Sequence, residues 1–436
     1  MTNAEPYTIE QSPMTRFQVG AVLICLILNL IDGFDVLAIA FAAPALAQDW
    51  KLPPDALGAL LSAGLAGMTA GSIFLAPLAD RWGRRSLTLG SLGLVSVGML
   101  SAAFAASTAQ LALARVITGL GVGAMLPSLN TLVAEYAPLR RRELALSLMA
   151  TGYPIGATLG GIAAIFISAS FGWRGIFVFG GLLSTVMIPL VVWRLPESLE
   201  FLLNKRPPNA LASANALLQH IGRPPLAALP EAPQVSRDTT LRDLILGGFA
   251  RRTMLLWLAF FCVMFVFYFV MSWTPKLLVD AGLAPGKGLS GGVLLNIGGI
   301  AGIVLLGVLA PKLGIFKVHS VALVAAAIAI FGFGLASGSL ASALTLALVV
   351  GFFLFTSLVG LYVITPSIYP TEVRNTGTGL AIGVGRLGGV LSPYLAGLLL
   401  SSGWQPDQTY MVFGLPMLLA VVAITALSRK AQAAEA

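Results

Sequence analysis

The sequence predicts an all-α integral membrane fold of twelve transmembrane helices arranged as two six-helix halves. Three observations predict it. Of 436 residues, 57% are hydrophobic and 10% charged, against about 25% charged in a soluble domain. The apolar residues gather into twelve runs of the roughly 20 residues that a membrane-crossing helix needs. Sequence features of the first half also recur in the second at a nearly constant offset. The composition excludes a water-soluble domain and a disordered chain. With two cysteines, Cys25 and Cys262, a disulfide scaffold is excluded as well, and both read as small buried hydrophobes.

The runs fall at 17–47, 57–78, 86–106, 108–133, 144–168 and 174–193, then at 254–274, 289–310, 318–338, 341–366, 377–401 and 410–428. Between the sixth and seventh, Pro207, Pro208, Pro224, Pro225, Pro230 and Pro233 mark a polar loop. This divides the chain into an N-terminal half (1–193), a cytoplasmic central loop (194–253) and a C-terminal half (254–436). Within the loop, Asn209–His220 suits a short surface helix. The segment before Phe17 lacks a charged n-region and cleavage site, so the first span is expected to stay attached.

With both termini cytoplasmic, 20 of the 26 Lys and Arg residues fall in cytoplasmic segments, and only Lys51, Arg174, Lys276 and Lys287 on the other side. This obeys the positive-inside rule. The net charge of +8 and pI near 9.7 therefore express topology rather than nucleic-acid binding.

Three ordered matches support the internal repeat. Gly172-Trp173 recurs as Gly403-Trp404, Asp80 and Pro311 are separated by the same offset, and Glu135 and Glu372 by nearly the same one. Parallel six-span repeats characterise one transporter architecture, whose substrate site lies between the halves near midplane.

Four charges interrupt the apolar spans: Asp32 and Asp35 in span one, Arg115 in span four and Arg386 in span eleven. A charge at midbilayer costs about 2.5–3.5 kcal/mol on insertion scales and marks function by default. Asp32 and Asp35 are one turn apart, and Asn29 extends their face. The depths of Arg115 and Asp35 permit an ion pair. Asp32, Asp35 or both are candidates to carry a proton, with Arg115 pairing with and releasing them. Arg386 has no acid near it in sequence. A planar guanidinium binds a carboxylate bidentately, so Arg386 is either a substrate-carboxylate ligand or a partner of Asp32 or Asp35 across the halves. Phe261, Phe265, Phe269 and Trp273 form a fourfold stripe in span seven beside Tyr268, and span ten carries Tyr362. Such rings suit an aromatic substrate as well as a core. Asn130, Tyr153 and Asn296 are further candidate cavity residues.

These residues resemble the major facilitator superfamily and, within it, the aromatic acid:proton symporter family. Asp32-Gly33-Phe34-Asp35 matches that family's Asp-Gly-x-Asp signature, and its surroundings resemble the family as far as Pro44. Asp80-Arg81-Trp82-Gly83-Arg84-Arg85 matches the superfamily's loop 2–3 motif, and Arg115-x-x-x-Gly119-x-Gly121-x-Gly123 its span-four motif. Tyr369-Pro370-Thr371-Glu372-Val373-Arg374 and Gly385-Arg386-Leu387-Gly388-Gly389 resemble spans ten and eleven. The resemblance covers nearly the whole chain. Departures are Ala76 for the usual glycine before Asp80, a second loop copy reduced to Lys312 and Gly314, and Gly152-Tyr153-Pro154-Ile155-Gly156, which lacks the glycine-proline order of drug antiporters.

The resemblance implies a proton-coupled symporter that imports a small aromatic carboxylate by alternating access. It implies a bacterial inner membrane as location, no cofactor besides the proton gradient, and a monomer whose partners are the acid anion, protons and lipid. A symporter or facilitator for a non-aromatic organic acid or other small metabolite is the competing expectation. Two histidines outside any metal-ligand spacing and no nucleophile constellation argue against an enzyme. A sensor on the same fold would need an output domain, and the loop offers none recognisable. The resemblance further implies a gate in which Asp80 meets the N-terminal end of span eleven. Arg81, Arg84, Arg85, Glu135, Arg140, Glu372 and Arg374 are its further members.

Overall fold

The computed structural model describes residues 14–229, 249–335, 340–369 and 371–435, with only the backbone described at 139, 140, 143, 285, 340, 371–376 and 429–435. The described residues form thirteen helices and no strand. They are α1 (Arg16–Asp49), α2 (Pro54–Trp82), α3 (Arg84–Ala103), α4 (Thr108–Tyr136), α5 (Leu139–Arg194), α6 (Leu199–Lys205), α7 (Ala210–His220), α8 (Ala250–Asp280), α9 (Pro285–Leu313), α10 (Ile315–Leu335), α11 (Leu340–Ile368), α12 (Thr371–Ser401) and α13 (Pro406–Glu435).

Eleven of these are long and apolar enough to cross a membrane. α5 counts twice. Its 56 residues would extend about 84 Å at 1.5 Å per residue, far more than a hydrocarbon core of roughly 30 Å. The helix is broken at Gly172, whose φ of 67° is costly for any residue with a Cβ. Spans five and six therefore share one helix assignment, and the chain makes the twelve crossings that its sequence predicts. The short helix foreseen in the central loop is α7, introduced by Asn209 with φ 64°. The preceding α6 was not foreseen, because two turns of helix are too short to leave a periodic signal.

The repeat is visible in the backbone. Lys51 (φ 50°) and Gly282 (φ 93°), Gly83 (φ 99°) and Gly314 (φ 82°), and Gly172 and Gly403 (φ 91°) are all left-handed. All three pairs share one offset in sequence, so the two halves turn at corresponding places.

Small residues set how closely the helices approach, as expected where lipid supplies no hydrophobic drive between helices. A Cβ on Gly33 or Gly156 of the α1–α5 contact would overlap the backbone of Tyr153 or Leu30. Gly67, Gly71, Gly119 and Gly123 do the same between α2 and α4, and Gly298, Gly302 and Gly351 between α9 and α11.

The halves meet chiefly through α2 with α12, α5 with α9, and α1 with α8 and α9. These contacts lie toward the face that carries loops 50–53, 281–284 and 402–405. There the Asp55 amide donates to Ser401 Oγ (2.9 Å), which donates in turn to Asp55 Oδ1 (2.9 Å). Gly58 lies against the Pro393 carbonyl, Phe41 against Gly292, and Gly161 against Val293. Outside this seal a cavity of about 570 Å³ is lined from both halves by Leu57, Trp273, Lys276 and Asp407 among others. A further direct bond between the halves runs from Arg386 to the Met68 carbonyl. Toward the opposite face Asn130 and Tyr362 are exposed. Among the described residues, the contacts between the halves close the structure on the side of this seal.

Candidate functional site

In the middle of α1 the apolar pattern is interrupted by Asn29, Asp32 and Asp35, each 1% exposed. Gly33 explains the enclosure. Without a side chain there, α1 presses against the Tyr153 carbonyl of α5, so the stripe faces protein rather than lipid. Asn29 Nδ2 donates to the Met149 carbonyl (2.7 Å), and its Oδ1 has no partner. Asp35 Oδ2 accepts from Ser184 Oγ (3.2 Å), while Asp35 Oδ1 is unpartnered and lies beside Gly180. Asp32 Oδ1 has no partner either.

Arg115 is 2% exposed. Its Nη2 donates to the backbone carbonyl of Asp35 (3.0 Å) and its Nη1 to Met99 Sδ (3.3 Å), with the guanidinium 5.8 Å from the Phe177 ring centroid. The ion pair that the depths of Arg115 and Asp35 permit is not formed: the arginine holds the main chain of Asp35, and the carboxylate turns away toward Ser184 and Gly180 of α5. The two charges still act on each other electrostatically.

Arg386 approaches from the other half. Its Nη1 bond to the Met68 carbonyl is long, 3.4 Å, and among the described residues it has no ion-pair partner. Asp32 of α1, Tyr153 of α5, Tyr268 of α8 and Tyr362 of α11 lie within electrostatic reach of it. Five helices from both halves thus converge on one guanidinium. The Tyr153 hydroxyl has no hydrogen-bond partner. Tyr362 is 38% exposed, and Tyr268 lies on Gly389 of α12. Asn296 is fully buried; its Nδ2 donates to the Gly292 carbonyl (2.9 Å), and its Oδ1 is free.

Two sequence candidates lie apart from this group. Asn130 is exposed and donates to the Leu126 carbonyl of its own helix (3.1 Å). Phe265 stacks between Phe261 (6.0 Å) and Phe413 (5.0 Å), and Phe269 continues the column onto Phe413 (4.4 Å) and Tyr410 (5.0 Å). Fourfold spacing places these rings on one face of α8, and that face meets α12 and α13. The stripe belongs to the interior of the C-terminal half, where Trp273 Nε1 also donates to the Pro393 carbonyl (3.0 Å).

At the face opposite the seal, Asp80 is mostly exposed and pairs with Arg84 (3.3 Å), which also reaches Glu135 (3.7 Å). Arg81 is exposed, and Arg85 donates to the Val192 carbonyl (2.6 Å). The side chains at 371–376, at the start of α12 where Asp80 was expected to dock, lie outside the described residues, Glu372 and Arg374 among them, as does the Arg140 side chain. The acid that occupies a helix terminus here is Glu197. Its carboxylate accepts from the Arg84 amide (2.9 Å) and the Arg85 amide (3.2 Å) at the start of α3, where unpaired amides and the helix dipole favour an anion. Tyr136 fastens the same segment by donating to the Glu197 carbonyl (3.0 Å).

Sequence reasoning missed Ser184, Met99, Phe177, the Met68 carbonyl and Glu197. Only the last had a signal: Pro196-Glu197-Ser198 places an acid and a capping serine at the end of a span. His319, fully buried with both ring nitrogens unpartnered against Gly360, was also not singled out. Among the described residues, no three His, Cys, Asp or Glu side chains group as metal ligands would.

The family profile of the Major Facilitator Superfamily matches residues 25–393. The chain belongs to this superfamily. It is 32% identical to a gallate transporter of Pseudomonas putida, over 96% of this chain and 93% of that protein. It is 31% identical to a 4-hydroxybenzoate transporter of the same organism, over 95% and 94% of the two chains. Among solved structures it resembles a partially occluded, inward-open xylose transporter from E. coli, with a TM-score of 0.74 at 16% identity over 93% and 98% of the chains. Superfamily membership and the apolar helices make this a multi-pass membrane transporter.

Proposed function

We propose that this protein imports a small aromatic carboxylate together with a proton across a bacterial inner membrane by alternating access. The loop asymmetry in Lys and Arg supports a cytoplasmic location for both termini and for the Glu197 face, with the seal between the halves on the outer side. Similarity to transporters of gallate and 4-hydroxybenzoate supports the substrate class.

One observation carries the reading. Arg386 of the C-terminal half reaches the N-terminal half at the Met68 carbonyl, Asp32 Oδ1 of the N-terminal half is buried without a hydrogen-bond partner, and neither side chain is held by an ion pair among the described residues. A single guanidinium then serves two carboxylates in turn. With Asp32 protonated, Arg386 is free to bind the substrate's carboxylate, and the loaded, charge-balanced site closes from either side. When Asp32 loses its proton to the cytoplasm, its charge competes for Arg386 and the acid leaves. Arg115 keeps the α1 backbone in place throughout, and Asp35, anchored by Ser184, modulates the field on Asp32.

The test is uptake of labelled aromatic acids into proteoliposomes under an inward proton gradient. Uphill accumulation abolished by an uncoupler is the expected result. Downhill flux without accumulation would reduce the protein to a facilitator. Absence of flux for every aromatic acid, with folded protein, would remove the substrate class.

A further inference from the structure

The two walls of the central site offer a ligand different chemistry. The C-terminal wall presents Arg386 with the phenols Tyr268 and Tyr362. The N-terminal wall presents three buried polar atoms without hydrogen-bond partners: Asn29 Oδ1, Asp32 Oδ1 and the Tyr153 hydroxyl. They form one patch. Asn29 and Asp32 are a turn apart on α1, and the α5 residues facing them are likewise a turn apart: Met149, whose carbonyl receives Asn29 Nδ2, and Tyr153, whose carbonyl abuts Gly33. The remaining free carboxylate atom of α1, Asp35 Oδ1, is turned toward Gly180 and stands outside the patch.

Each buried polar group without a partner costs about 1–3 kcal/mol. With Asp32 protonated, as substrate binding requires, the Asn29 amide oxygen only accepts, while the Asp32 carboxyl and the Tyr153 phenol can each donate and accept. Benzoate, whose carboxylate is engaged by Arg386, brings no donor to it. A ring hydroxyl brings a donor and an acceptor together. We propose that the N-terminal patch is a ring-hydroxyl subsite with Tyr153 as its specificity-determining residue. The substrate lies across the interface, its carboxylate on Arg386 and its ring hydroxyl on Tyr153, supported by Asn29 and Asp32. Hydroxylated aromatic acids are thereby selected over the unsubstituted acid, and a ligand held at both ends couples the movement of the halves. This inference rests on the function proposed above.

The experiment measures binding of benzoate, 3-hydroxybenzoate and 4-hydroxybenzoate to the full chain in nanodiscs by calorimetry, for wild type and Tyr153→Phe. A site that hydrogen-bonds a substrate hydroxyl discriminates strongly against the analogue lacking it, so at least one hydroxybenzoate is expected to bind wild type about tenfold or more tightly than benzoate. In Tyr153→Phe that ratio should fall below about threefold through weaker hydroxybenzoate binding. Equal wild-type binding of all three acids overturns the subsite and leaves the transport reading standing. The wild-type comparison decides this even if the variant fails to fold. Selectivity retained in folded Tyr153→Phe also overturns it. Binding of none of the three acids by folded wild type overturns both the subsite and the function on which it rests.

Discussion

At the same level of the two halves, α1 buries Asp32 and Asp35 while α8 buries Val263 and Val266, their counterparts in the repeat. The surroundings differ to match. Asp35 has Ser184 and Gly180 beside it, and the counterpart of Ser184 is Leu415, exposed on the outside of α13. The loop ends differ too. Gly83 and Gly314 share a left-handed turn, yet among the described residues an acid caps the first amides of α3 and none those of α10, and Ser428 stands where the repeat would place Glu197. A duplicated backbone thus carries two interiors. The first half holds the acids and the groups that orient them, and the second holds an aromatic core with one guanidinium at its edge. In the proposed mechanism coupling requires the halves to meet, because neither contains both the proposed proton carrier and the proposed substrate-binding cation.

The largest test of this division is Asp32→Asn. Proton-driven accumulation should be lost, at least a hundredfold below wild type, while counterflow of the labelled acid persists. Preserved uphill uptake with unchanged proton stoichiometry would exclude Asp32 as the carrier. Next in size, Val263→Asp places an acid at the mirrored position without the neighbours that accommodate one. It should destabilise the protein by about 2.5–3.5 kcal/mol, read as a lower melting temperature in detergent. If the variant were as stable as wild type, the second half would be as tolerant of charge as the first. Ser184→Ala removes the one hydrogen bond to the Asp35 carboxylate and should cost about 1.5 kcal/mol. A shifted pH profile of uptake should accompany it, whereas Leu415→Ala should leave the profile alone. Smallest, Glu197→Gln weakens the anion at the α3 terminus by about 0.3–1 kcal/mol. It should speed hydrogen exchange at the first turn of α3 but not of α10.

Composition and spacing determined the class, the crossings and the repeat because the bilayer enforces them residue by residue. Every span must stay apolar across the whole hydrocarbon thickness, and every exception stands out. Asp32, Asp35, Arg115 and Arg386 were legible for that reason. Tertiary structure alone decided which atoms those charges meet. Arg115 chose the Asp35 carbonyl over its carboxylate, and Ser184, one serine among many in an apolar run, became its partner through the α1–α5 contact. The Phe265 stripe turned into the core because the face it occupies on α8 points at α13, a fact that periodicity cannot contain. Periodicity fixes which residues share a face; only packing decides what that face meets.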